Sequence, residues 1–472
     1  MTVYNITGIT GGSMAAFQGA LKEQYFPRWN DMINPEARLW SMIAKNTVNG
    51  IGGIQTLFSV MDRHVASAGM PLLEDQVMAS PTAPRFVKPA IWPKDHYARV
   101  RSTGHAERAA KAGDTATYIA VMKEQLRSAR EQHHLMRNIE AYLGVLSPFA
   151  QLSAYAHDGS GLHTVDPRNN RTSAADGRWI SGTKYLVEGL AYNIVSGSGS
   201  APVQQGAPTW TNVDGANERV ILSIIDDTSF VGTTAGGTTG ANDPSDYSAG
   251  ATANGALVIA YGSRITGHWD TTDDADADSK SGHGNGLANM LGNATTKAFV
   301  YSLDKASYPF LNSIYDANSG TLRDWDENEL TFVFDQSAES RYNKGGRMDV
   351  VMMGRAVRRE YIRETKGDRQ FSPVLKEKGW GPKLQYTAGD VSAMIEVDRH
   401  CPDFLAFGLQ TSSFKRYVNT PLGMMDRNHE DRFRDGRDSH EIPLVESDNL
   451  MCLNPQGNAQ VEDINGSTTG LL

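Results

Sequence analysis

Between Asp114 and Gly144 the apolar positions recur with helical period: Tyr118, Met122, Leu126, Ala129, His133, Met136 and Leu143 fall on one stripe. Lys123, Arg127, Arg130, Glu131 and Arg137 populate the other faces. Asp114 supplies an N-cap and Gly144 a C-terminal stop. The spacing predicts one helix of about eight turns, roughly 45 Å long. The stretch before it, 51–104, has a different texture. GIGGIQTLFSVMDRHV reads as a strand-like arm, ASAGMPLLEDQVMASPTAP as an interrupted tip, and RFVKPAIWPKDHYARVRSTG as a returning arm. Pro84, Pro89 and Pro93 lack a ladder N–H and place the return arm at an edge or in a free ribbon. An arm of some 20 residues reaches about 60–70 Å. A ribbon of that length has no core of its own and needs another surface to lie on.

Residues 1–50 read as an arm with two short helices. Ser13 caps Met14, Phe17, Leu21 and Tyr25 before Pro27; Asn34-Pro35 opens a second helix with Leu39, Trp40 and Ile43. Residues 195–265 form a β-rich stretch. Its strands ERVILSIID and GALVIAYGSR are split by a low-complexity Gly/Thr/Ser loop. An acidic, glycine-rich linker covers 266–286. Beyond it the pattern is mixed. A helix starts at Asp326/Glu329 and carries Leu330, Phe334, Ala338 and Tyr342; MDVVMM is a short buried strand. GRAVRREYIRETKG is a helix, VSAMIEV a strand with Val391, Ala393, Ile395 and Val397 on one face, and FLAFGLQ and SFKRYV two more strands.

Composition narrows the function more by exclusion than by assertion. The chain has 472 residues, 40% of them hydrophobic, and a net charge of −9. That balance suits a globular protein and argues against a generally basic nucleic-acid binder. Cys401 and Cys452 make no disulfide framework. The N-terminus MTVYNITGITGGSMAAF lacks a basic segment followed by an apolar run, so no secretory signal is expected.

No convergent catalytic set emerges. GRWISGTK, from Gly177 to Lys184, has Gly-Thr-Lys where a phosphate loop needs Gly-Lys-Thr. DTTDDADADSK places Asp274, Asp276 and Asp278 as in a calcium loop, but has Ser279 in place of the glycine and Asn285 in place of the glutamate. It reads as a solvated acidic loop. His133 and His134 are adjacent rather than four apart, and His133 on the apolar stripe reads as a satisfied core histidine. The neighbours His400 and Cys401 do not converge as base and nucleophile, with Pro402 directly following. No catalytic, metal or cofactor-binding residues are assigned.

The later segments carry a resemblance. DKASYPFLNSIYDANSGTLRD, MDVVMMGRAVRREYIRETKGDRQF, VDRHCPDFLAFGLQTSSFKRY and PLGMMD…DSHEIPLVESDNLMCLNPQG occur in an order similar to that of the major capsid (coat) proteins of tailed bacteriophages. The resemblance implies an α+β chain with the Hong Kong-type phage capsid fold. Its parts would be an N-terminal arm at 1–50, an extended E-loop at 51–104 and a peripheral domain with a long spine helix at 105–194. A β-rich insertion at 195–265 departs from the family pattern. An axial domain at 266–398 and a return to the peripheral domain with a C-terminal tail at 399–472 complete it.

The function so implied is structural: self-assembly into hexamers and pentamers of an icosahedral head around double-stranded DNA. Assembly would take place in the host cytoplasm without a membrane. A scaffolding protein, a portal and a decoration protein are the further partners, and contact with DNA is local and non-specific. No cofactor is implied. Aromatic residues and long cations anchor interfaces, so the contact candidates are Phe17, Tyr25 and Trp29 on the arm. On the ribbon they are Phe58, Arg63, Phe86, Lys88, Trp92 and Lys94. The alternative for each is packing against its own chain. Two rival functions stay open: a β-rich surface, adhesion or tail structural protein, suggested by 195–265, and an intracellular hydrolase using Cys401 or the aspartate run.

Overall fold

The computed structural model describes residues 37–46, 56–57, 60–63, 83–103, 115–144, 149–154, 162–165, 182–188, 190–196, 211–212, 219–226, 229–234, 257–260, 285–292, 299–301, 303–318, 321–325, 327–340, 346–364, 385–388, 391–424, 432–433 and 439–466. The first short helix of the N-terminal arm and the tip of the ribbon lie outside them. So does the Asp274–Asp278 run. Five helices are described: α1 (Arg38–Met42), α2 (Thr115–Leu143), α3 (Leu287–Met290), α4 (Glu327–Glu339) and α5 (Arg355–Glu364). Among the described residues no helix is long and apolar enough to cross a membrane.

A six-stranded mixed sheet organises the later half. Its strand order is Ile314–Asp316, Ala459–Val461, Ala406–Leu409, Val350–Met353, Val391–Val397, Gln385–Ala388. The central strand Val350–Met353 is buried at every position, which is why its sequence is continuously apolar and shows no alternation. Its two faces serve two cores. Val351 and Met353, with Ala393, Ile395, Ala406 and Val461, pack under Leu330, Val333 and Phe334 of α4 and Val357 and Tyr361 of α5. Val350 and Met352, with Phe407 and Leu409, face the core around Ile139, Tyr142 and Leu143 of α2. The expected one-sided face of Val391–Val397 holds at Ala393 and Ile395, while Met394 between them is 46% exposed.

The second sheet has five strands around the 14-residue strand Ser439–Cys452, which pairs antiparallel with Phe414–Met424. Phe414–Met424 pairs in parallel with Ala44–Asn46, so the N-terminal segment is built into the same sheet as the C-terminal one. Ser439–Cys452 also pairs with Lys94–Thr103 over ten positions, from Ser439 against Thr103 to Asp448 against Lys94. The segment 399–472 is thereby shared between both sheets.

The third sheet corrects one expectation. The β-rich stretch 195–265 supplies only part of it. The order is Thr211–Asn212, Ala191–Ser196, Arg219–Asp226, Ser229–Thr234, Leu162–Val165, Ala150–Ala154, Leu257–Ala260, and the last strand also pairs with Ala191–Ser196. Six strands therefore close on themselves, with Thr211–Asn212 appended. Closure removes the exposed strand edges that a free β-insertion would present. It requires strands from 150–165, a stretch whose small and polar residues carry little periodic signal.

Candidate assembly interface

The return arm of the ribbon is broken where its prolines fall. Strands Arg85–Val87, Ala90–Ile91 and Lys94–Thr103 are separated by Pro89 and Pro93, each of which removes a ladder donor. The two short pieces pair only with the outgoing arm: Val60 with Val87 and Met61 with Phe86, then Thr56 with Ile91 and Leu57 with Ala90. Among the described residues neither ladder has a third strand. At its base the ribbon is tied to the body. Ala90 N–H donates to the Tyr301 carbonyl at 3.1 Å, Arg85 lies over the Tyr308 ring, and Ile91 is buried in the main core. Between Arg85 and Ala90, Phe86 is 59% exposed and Lys88 is exposed.

The candidate contact residues thus separate. Phe86 and Lys88 face solvent, and Arg63 lies on the strand Val60–Arg63. Trp92 is half-buried and its carbonyl accepts from Asn449 Nδ2 at 2.7 Å. Lys94 is buried within its own chain, because it starts the strand that docks on Ser439–Cys452 with alternate residues turned inward. On that strand Lys94, His96 and Val100 point to the body, while Asp95 and Tyr97 point out and Tyr97 is 69% exposed. Phe17, Tyr25, Trp29 and Phe58 lie outside the described residues.

Beneath the inward face of that strand is a buried cluster of charge that the sequence pattern did not single out. Arg137 of α2, expected on a polar face, is buried. Its guanidinium donates to Glu140 and to Asp448, and to Nε2 of His96 at 2.6 Å. Arg416 reaches Asp448 at 3.5 Å and Glu446 at 3.8 Å. Both guanidinium carbons lie 4.5 Å from the ring centroid of Trp40 on α1. Five separate chain segments meet here. Pairing and stacking offset part of the hydration that two buried arginines lose.

His133 is buried as expected but not satisfied: among the described residues neither ring nitrogen has a hydrogen-bond partner, and Nδ1 stands 3.7 Å from Glu446. Burial first, and then Arg137, push both His133 and His96 down to about 3. Both rings are therefore neutral near pH 7. Asp398 fixes the adjoining end of α1, accepting from Leu39 N at 3.2 Å, Asn138 Nδ2 at 3.0 Å and His400 N at 2.9 Å. Burial acts against its ionisation, yet the bonds from His400 and Asn138 hold it down to about 2.

Comparison with family models finds no match, and comparison with curated proteins finds none. Among solved structures the chain is similar to a protein of the cyanophage A-1(L) capsid asymmetric unit, at 10% identity and a TM-score of 0.49, over 96% of this chain and 99% of that one. It is also similar to a protein of the capsid of a native GTA particle, at 8% identity and a TM-score of 0.42, over 96% and 99%. A third likeness is to the capsid of Myoviridae phage XM1, at 7% identity and a TM-score of 0.40, over 94% and 95%.

Lys184, Cys401 and His400 are engaged within the fold. Lys184, the lysine of the Gly-Thr-Lys run, is buried and donates to Asp403 at 2.8 Å and to the Cys401 carbonyl at 2.6 Å. The Cys401 thiol is fully buried and pushed well up by that burial, and its Sγ faces the Met352 carbonyl. Nδ1 of His400 turns to Asn138 instead. A buried thiol held in its protonated form is a poor nucleophile.

Proposed function

We propose that this chain is the major structural subunit of the icosahedral head of a tailed phage. In this reading 51–104 is the E-loop and α2 the spine helix. The six-stranded sheet with α4 and α5 forms the axial domain, the five-stranded sheet and α2 the peripheral domain, and the closed β-unit is an addition to that plan. The observation that carries the reading is the ribbon. Its two-stranded ladders are rooted at Tyr301, touch Tyr308 through Arg85, and present Phe86 outward with no third strand among the described residues. An isolated two-stranded hairpin is marginal in water, so a neighbouring subunit is its natural support. Copies would assemble as hexamers and pentamers around packaged DNA, with a scaffolding protein, a portal and a decoration protein as further partners. The role is structural and needs no cofactor.

The test keeps the tie between Ala90 and Tyr301 and the buried Ile91, and removes the ribbon beyond them, Arg85 included. Val60 and Val87 are paired, so Met61–Phe86 can be replaced by a two-residue turn that joins them. Purified wild-type chain is expected to form shells or capsomers in negative-stain micrographs. The shortened chain is expected to keep its thermal midpoint and form none. Assembly at the wild-type level would remove the role given to the ribbon.

A further inference from the structure

Helices α4 and α5 cover the same face of the six-stranded sheet and share one core, so both have an outer surface free of that sheet. On α4 the outer stripe is Phe332, Asp335 and Glu339, at helical spacing, with Phe332 half-exposed and both carboxylates exposed. On α5 the outer stripe is Arg355, Arg358 and Ile362, with both arginines exposed and Ile362 partly so. Each stripe is two turns long and combines one apolar side chain with two charges of one sign, and the signs are opposite. Asp335, Glu339, Arg355 and Arg358 make no ion pair among the described residues, whereas Arg363 on the same α5 is engaged by Glu360 and Glu364. The two stripes therefore complement each other without meeting inside one chain.

We propose that α4 of one copy docks on α5 of a second copy, head to tail, with Asp335 and Glu339 facing Arg355 and Arg358. A contact between two different patches of the same chain is heterologous, and repeating it closes a ring when the rotation permits. This inference rests on the shell reading and names the surfaces that join neighbours within one ring. Complementary charge sets the register and suppresses wrong pairings, while Phe332 and Ile362 supply apolar contact.

The test reverses each stripe in the full chain: D335R/E339R on α4, R355E/R358E on α5, and all four together. Assembly is read by sedimentation velocity and negative stain, and folding by the thermal midpoint. Each double variant is expected to lose assembled material by about tenfold or more, since like charges now face each other. The quadruple variant is expected to recover it, and a one-to-one mixture of the two double variants to recover six-membered rings, whose members can alternate. Recovery in the mixture cannot come from chains that failed to fold. Wild-type-like assembly of both double variants would overturn the helix pairing and leave the shell reading standing. Failure of folded quadruple chains to recover would overturn it too, pointing to a different partner such as a polyanion on α5. Assembly that stops at a dimer would overturn the head-to-tail geometry. A wild-type chain that stays monomeric under all conditions would remove the shell reading, and this contact with it.

Discussion

Arg137 holds together groups from distant parts of the chain. Replacing it with alanine leaves Glu140 and Asp448 buried without their shared cation. Loss of one partner of a buried pair costs about 3–5 kcal/mol. Arg137→Ala is therefore expected to lower the urea midpoint by that equivalent, while Arg127→Ala, on the exposed part of α2, changes it by less than about 0.5 kcal/mol. The buried histidines add a pH dependence. In the unfolded chain each binds a proton near 6.5, but in the fold only near 3. The unfolded state thus holds more protons between those values. Stability is complete above about pH 6.5 and declines as the pH falls toward 3, by up to about 1.4 kcal/mol per pH unit for each ring. Urea unfolding at pH 7 and pH 5.5 should show this loss, and His133→Leu should reduce the slope. A pH-independent midpoint would contradict neutral burial. Of this cluster the sequence placed His133 in the core, though not in the satisfied state it expected, and placed Arg137 wrongly. A residue's helical face is legible from period, but two of the carboxylates that compensate the buried Arg137, Glu446 and Asp448, lie some 300 positions away.

The long helix was legible from end to end, because a 3.6-residue period over eight turns has no competing explanation. Its C-terminal part shows what period does not report. From Leu135 onward α2 is covered on most sides, and its end abuts Gly286. A β-carbon on Gly286 would stand 2.3 Å from the Gly144 nitrogen and 2.5 Å from the Glu140 carbonyl oxygen, both backbone atoms that cannot turn aside. Gly286→Ala is expected to destabilise the fold by about 1–3 kcal/mol through overpacking, measurable by thermal unfolding. Gly144 itself has φ 61°, the left-handed conformation of a helix stop, so Gly144→Ala should cost about 1 kcal/mol. The breaks in the return arm were equally legible, since proline acts locally. Closure of the third sheet was not: pairing between Ala191–Ser196 and Leu257–Ala260 is a long-range event that short alternating strands do not announce.

For the whole molecule, the strand Ala44–Asn46, the strand Lys94–Thr103 at the ribbon's end and the strands Phe414–Met424, Arg432–Phe433 and Ser439–Cys452 share one sheet, with α2 packed against it. The ribbon therefore springs from a sheet that joins distant parts of the chain. Phe86→Asp should leave the thermal midpoint unchanged, because Phe86 is exposed, and reduce shell formation by at least about tenfold if its side chain is a buried anchor in the assembly. Negative-stain particle counts at equal protein concentration check this. What the amino-acid sequence determined by itself was local: helix α2, the proline-broken arm, and the strands at 350–353 and 391–397. Each follows from period, from missing donors or from spacing, which act over a few residues. Only the tertiary structure decided which strands close the third sheet, that Lys94 turns inward while Phe86 turns out, and that Arg137 and Arg416 meet across Trp40. Those outcomes depend on burial and on pairing between residues hundreds of positions apart, and burial is a property of the assembled chain rather than of any segment.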